Sequence, residues 1–202
     1  MTPSTNTPQN EATMTADIFT QARSAKLFKP EPIAQETLDT LIEWVKWSPS
    51  ESNSWPFRVV FVQSESAKAR LLTLVAEGNQ PKVESAPVIA ILSYDEKFTD
   101  HLPTLAPHLP NPSYFDTLPA EAREFAMLRS ANLQAGFFMC AARSLGLDCG
   151  PLAGFDREGV NQEFFADSSW RASFLCMLGH ADPEATYPRG ARLDTQDWVR
   201  FE

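Results

Sequence analysis

The segment that most constrains the fold runs from Ala120 to Leu145, the longest helix the sequence predicts. Phe125, Leu128, Leu133, Phe137, Phe138, Ala141, Ala142 and Leu145 recur at helical spacing over a wide arc. The expectation is therefore a helix buried on most sides. Gly146 follows directly, where a helix C-terminus favours glycine. Such a helix needs a core around it. Of the 202 residues, 43% are hydrophobic and 11% aromatic, which excludes disorder of the whole chain. The length suits one domain over residues 14–202, behind a disordered tail of residues 1–13 rich in Thr, Asn and Pro.

Around that helix the pattern predicts an α+β protein. Helices are expected over Asp17–Leu27, over Ala34–Trp47 with its stripe of Ile33, Leu38, Leu41, Ile42, Trp44 and Val45, over Ser66–Glu77 ending at Gly78, and over Gly159–Phe165. Buried strands are expected over Phe57–Val62, Ala86–Tyr94 and Arg171–Leu178, with turns at Gly179–Asp182. Pro49 and Pro56 bracket the polar loop SPSESNSWP, and Leu147–Asp156 reads as a Gly/Pro-bearing loop. Residues 95–118, with Pro103, Pro107, Pro110 and Pro112, read as a long irregular stretch over a pocket mouth or a subunit edge. Helices flank the strands without βαβ alternation, so a doubly wound sheet is not expected.

Charge and cysteines narrow the function. Lys and Arg number 17 against 26 Asp and Glu, a net −9, which opposes general nucleic-acid binding but leaves room for a small anion held by a few local cations. The N-terminus lacks a basic region followed by an apolar one, and Ala86–Leu92 is too short to span a bilayer, so a soluble cytoplasmic protein without membrane contact is expected. Cys140, Cys149 and Cys176 read as small buried hydrophobes. His101, His108 and His180 share no metal-ligand spacing, so no metal site is expected. GxGxxG, GxxxxGK[ST] and GxSxG are all missing, which removes the glycine turn of Rossmann and P-loop proteins and the nucleophile elbow of hydrolases.

Separated segments carry the remaining signal: Arg23-Ser24 with Lys26, the loop W47SPSESNSWPF57, Gly78-Asn79, the run LRSANLQAGFFMCAARSLGLDCGPLAGFD ending at Asp156, and Arg189 with Arg192. In order and spacing, from about Ile18 to Val199, they resemble the nitroreductase family of flavoproteins, and most closely its malonic-semialdehyde-reductase-type members. That resemblance implies an α+β fold with a central, mostly antiparallel sheet flanked by helices, an intertwined homodimer, and an FMN between the subunits.

It further implies Arg23, Ser24 and Lys26 near the FMN phosphate, ribityl chain and pyrimidine edge, with Arg189 and Arg192 completing the phosphate grip. Pro49, Ser50 and Asn53 come from the neighbouring subunit. Asn79 and Lys82 face the pyrimidine, and Pro151, Leu152 and Gly154 line the other face. Four positions depart from the family pattern: Ala22 replaces an Arg, Trp55 a Gln, Phe57 a Trp, and Ala153 an acidic residue.

The implied chemistry is a ping-pong hydride transfer from NADH or NADPH through flavin N5 to a small electrophile, with no obligate side-chain acid. Malonic semialdehyde, reduced to 3-hydroxypropionate, is the expected substrate. Arg58 and Arg129 are the candidate cations for its carboxylate, against the alternative that each belongs to an ion pair on the surface or between helices. A broad-specificity nitroaromatic or quinone reductase is the second reading, and a flavin-binding or interaction protein without turnover the third.

Overall fold

The computed structural model describes residues 17–109 and 114–202; the tail expected over residues 1–13 lies outside the described residues. Four strands, β1 (Phe57–Val62), β2 (Val88–Asp95), β3 (Asp148–Leu152) and β4 (Trp170–Gly179), form one antiparallel sheet in the order β1-β2-β4-β3. Helices α1 (Gln35–Val45) and α4 (Ala120–Ser144) cover one face, while α2 (Glu65–Leu72), α3 (Gln80–Ser85) and α5 (Arg157–Phe164) cover the other. Along β2, Val88, Ala90 and Leu92 pack with α1 and α4, and Ile89 and Ile91 pack with α2 and α3. A strand covered on both faces needs an apolar side chain at every position, so the sequence shows a continuous run there. Burying each large apolar residue contributes about 1.5–3 kcal/mol.

The long helix is present but buried differently from the expectation. Its inward seam is made of Ala126, Met127, Ser130, Ala131, Gln134, Ala135, Phe138 and Ala142. Phe125, Leu133 and Phe137 are instead 63%, 47% and 47% exposed along the opposite stripe. Phe138 and Ala142 are buried as expected, while small residues fill much of the rest of the seam and Phe125, Leu133 and Phe137 face outward. Gly146 does take the left-handed conformation (φ 80°) that ends the helix.

Four other expectations change. Helix over Asp17–Leu27 is confined to residues 17–20, because the chain then runs beside β3: Ser24 bridges Cys149 in parallel, and the Ala25 N–H donates to the Cys149 carbonyl at 2.9 Å. The helix expected over Ser66–Glu77 stops at Leu72, since Val75 bridges Phe155, and Gly78 lies in a turn leading into α3. Half of the expected loop 147–156 is β3, an edge strand whose Pro151 is tolerated where no further strand pairs. Residues 95–118, less 110–113, which are not described, hold helical turns at Phe98–His101, Leu102–Leu105 and Tyr114–Thr117. Phe98, Leu102, Ala106 and Phe115 there make a small core with Ala126 and Met127 of α4.

Candidate active site

Beside β3, the strand-like segment Arg23–Lys26 meets the returning C-terminal segment Thr186–Arg192. Between them lies a cleft of about 310 Å³ lined by Arg23, Ser24, Lys26, Arg189 and Arg192 with Ala22, Arg143 and Tyr187. Among the described residues, no Asp or Glu lines it. Three of its guanidinium groups each donate to main-chain carbonyls and keep further N–H donors: Arg23 donates to Gln21 and Ala22, Arg189 to Thr20 and Ala22, and Arg192 to Gly190 and Ala191. Lys26 sits over the Tyr187 ring at 5.5 Å. Like charges held together without counter-charges raise the local potential and leave donors suited to an anion.

Lys26 also connects this cleft to the turn after β3. Burial, and then the positive charge of Lys26, push the Lys82 ammonium below its ordinary range. The Lys82 Nζ donates to the Pro151 carbonyl at 3.4 Å. Asn79, the N-cap residue just before α3, makes no side-chain cap bond and donates Nδ2 to the Gly154 carbonyl at 3.2 Å. That carbonyl also accepts from the Ala76 N–H at 3.0 Å. A Cβ on Gly154 would lie 2.3 Å from the Asn79 Nδ2, so a side chain there would displace that amide from the Gly154 carbonyl. At Gly150 a Cβ would lie 2.9 Å from the Ala25 carbonyl. Leu152 ends β3 opposite Leu175 and packs on the sheet core. Asp156 caps α5, accepting from the Gly159 N–H at 3.0 Å.

A second cleft, of about 1050 Å³, lies under the loop between α1 and β1. It is lined by Trp47, Pro49, Asn53, Trp55, Arg58, His101, Leu105 and Trp170, with Lys46 and Asp95 among the others. The loop folds back sharply: Ser52, Asn53 and Trp55 have φ of 52°, 53° and 46° without a glycine among them. Its ties are the Ser50 Oγ, which accepts from the Trp55 N–H at 3.0 Å, and the Asn53 Nδ2, which donates to the Leu105 carbonyl at 2.6 Å. The Pro-rich segment thus forms one wall of this cleft.

Arg58, buried at its floor, donates to Asp95 at 2.7 Å and to the Trp55 and Phe57 carbonyls, and lies over the Trp170 ring. Burial opposes ionisation of Asp95. Bonds from Ser169 and the Lys97 N–H, with the Arg58 guanidinium, outweigh it and hold the carboxyl below the usual range. Arg129 stands outside both clefts, paired with Glu51 and over the Phe125 ring.

The sequence profile of the Nitroreductase family matches residues 19–180. The chain belongs to the nitroreductase family. It is 47% identical over 178 residues to a Leptothrix cholodnii protein, covering 88% of this chain and 90% of that one. A Ralstonia nicotianae protein is 39% identical over 193 residues, covering 96% and 98%. Both carry the provisional name NADH dehydrogenase/NAD(P)H nitroreductase. Among solved structures, a nitroreductase-type protein of Exiguobacterium sibiricum, determined in complex with FMN, matches with a TM-score of 0.81 at 24% identity, covering 92% of this chain and 96% of that one. The antiparallel four-stranded sheet between helices is the nitroreductase fold.

Within this nitroreductase, the structure gathers Arg23, Ser24, Lys26, Arg189 and Arg192 in one cleft, and Asn79, Lys82, Pro151 and Gly154 in the corner beside it. Pro49, Asn53 and Arg58 lie in the other cleft, with Ser50 inside the loop that shapes it. Sequence reading missed Arg143, Tyr187, His101 and Trp170. Of these, Arg143 had a visible signal, a charge in the last turn of a helix whose neighbours are apolar.

Proposed function

We propose that the protein is an FMN-dependent NAD(P)H oxidoreductase working as a homodimer in the cytoplasm. The observation that carries this reading is the carboxylate-free cluster of cations opening beside the Asn79–Gly154 corner. The chemistry of the donors fits the group. A phosphate dianion suits forked guanidinium donors, and a flat ring suits a corner where no Cβ fits. The Gly154 N–H also donates to no acceptor within the described residues.

When bound, FMN supplies the hydride chemistry linking the nicotinamide to the electrophile. Arg23, Ser24, Arg189 and Arg192 hold the phosphate; Lys26, Asn79 and Lys82 address the polar edge of the ring. Pro151, Leu152 and Gly154 lie along one face and keep it in place. The protein orients its reactants and supplies positive charge, and no side chain acts as an obligate acid.

The homodimer reading rests on α4. Phe125, Leu133 and Phe137 form an exposed apolar stripe at helical spacing, with Trp44 and Trp47 of the neighbouring helix and loop also exposed. Gly136, beside the stripe, has open space over it. Pairing on this stripe brings the Pro49–Asn53 loop of one subunit to the flavin of the other. A monomer is then inactive, and dilution that splits the dimer releases flavin.

The substrate we propose is malonic semialdehyde, reduced to 3-hydroxypropionate, with its carboxylate near Arg58 or Arg129. Either cation first has to be drawn from its acidic partner, Asp95 or Glu51. A broad-specificity nitroaromatic or quinone reductase is favoured by a different observation, the three indoles of Trp47, Trp55 and Trp170 lining the larger cleft.

Two measurements test these readings. Purified protein is expected to be yellow and to bleach with NADH or NADPH; colourless protein that takes up no FMN refutes the enzyme reading. Anaerobic stopped-flow reoxidation with malonic semialdehyde against a nitroaromatic then separates the substrates. A nitroaromatic more than about tenfold more efficient, equivalent to about 1.4 kcal/mol of transition-state stabilisation, overturns the semialdehyde assignment.

A further inference from the structure

Arg143 lies in the last turn of α4 and lines the cleft with Ala22, Arg23 and Arg189. Its Nε is the single buried side-chain nitrogen or oxygen among the described residues without a hydrogen-bond partner. No ion pair to Arg143 occurs among the described residues either. A buried donor left without an acceptor is costly, and native structures retain one rarely. Here the orphan borders a cleft that gathers other cations and has no carboxylate in its lining among the described residues; Arg143 also lines a depression holding Asp17 and Asp148, and it forms an ion pair with neither.

The end of α4 also explains why an anion there needs this residue. Free carbonyls give a helix C-terminus partial negative charge, which opposes a phosphate in the first turn of its surroundings. A guanidinium at Arg143 screens that end. Ala22, which lines the same cleft, contributes no donor side chain.

We propose that Arg143 is a further phosphate-binding residue, taking the terminal phosphate monoester of the bound nucleotide together with Arg23, Arg189 and Arg192. It sets the preference for a phosphorylated flavin over a dephosphorylated one. This inference rests on the flavin reading given above, and it assigns to α4 a role in ligand selection besides its role in the core.

The test is equilibrium titration of the flavin-free, full-length protein with FMN and with riboflavin, which differ by the phosphate alone. Wild type is expected to bind FMN more tightly. R143Q and R143M are expected to weaken FMN about ten- to hundredfold, the range for loss of a hydrogen bond to a charged group, and to leave riboflavin affinity unchanged. Adding Ala22→Arg to R143Q is expected to restore part of the FMN preference from another position in the cleft lining. The FMN-to-riboflavin ratio is the readout because a general loosening of the fold weakens both flavins alike.

Variants that keep the wild-type ratio, or weaken both flavins equally, overturn the role of Arg143 and leave the flavin reading intact. Wild-type protein that takes up neither flavin overturns the flavin reading itself.

Discussion

In the cleft beside β3, Arg23, Lys26, Arg143, Arg189 and Arg192 face one another, and none of them has a carboxylate partner among the described residues. In the cleft under Trp47, both the lysine and the arginine have one: Lys46 pairs with Glu43 and Arg58 with Asp95. A chain of net charge −9 has acidic residues to spare, so the contrast is not a shortage of counter-charge. Positive groups kept together without compensation oppose folding and await an anion. Compensated groups, above all the Arg58–Asp95 pair, satisfy one another, so that removing either partner leaves a charge unpaired in the protein interior. The first cleft is arranged for a ligand, and the charges of the second are already answered within the fold.

Breaking the compensated pair should have the largest effect. Arg58→Met leaves Asp95 buried without its guanidinium, at an expected cost of about 3–5 kcal/mol, measurable by urea denaturation. A smaller loss, about 1–3 kcal/mol from overpacking, is expected for Gly154→Ala, because the added methyl displaces the Asn79 amide. That variant should also lose flavin affinity in the same titration.

Arg192→Gln sharpens the contrast from the other side. Flavin-free stability should stay within about 0.5 kcal/mol of wild type, while FMN affinity falls about tenfold and riboflavin affinity holds. The smallest effect concerns pH. Asp95 titrates below the ordinary carboxylate range in the folded protein, so its contribution to stability is complete above the ordinary value. It is lost as pH falls through the lowered one. Asp95→Asn should therefore flatten the acid limb of the stability profile between those two values, in denaturation measured as a function of pH.

Much of this architecture is legible in the residues, and the failures share a cause. β1, β2 and β4 announce themselves because strands covered on both faces carry unbroken apolar runs. β3 does not, because DCGPL at a sheet edge contains the glycine and proline that usually mark a turn. Segment 23–28 looks helical by local preference, but its pairing with Cys149 and Ala181 is a long-range contact that no local pattern encodes. On α4 the periodicity was legible and the direction was not. Phe138 and Ala142 read as core and are buried against the sheet with Ala135, but Phe125, Leu133 and Phe137 also read as core and are exposed, while Ala126, Ser130, Ala131 and Gln134 are buried.

The candidate site divides in the same way. Arg23, Lys26, Arg189 and Arg192 lie at opposite ends of the chain, and family resemblance joined them before the fold did. Arg143 was hidden because a lone charge near a helix C-terminus is ordinarily read as a partner of the helix dipole. Arg58 and Asp95 are far apart in sequence, and only the pairing of Arg58 with Ser93 across β1 and β2 brings them together.

The central claim is that the uncompensated cleft holds the phosphate of FMN. Its most direct test is titration of the wild-type, flavin-free protein with FMN and riboflavin at low and high salt. The account predicts tighter binding of FMN, with an advantage that shrinks as salt screens the cleft. Equal affinity for the two flavins at both salt concentrations would contradict it.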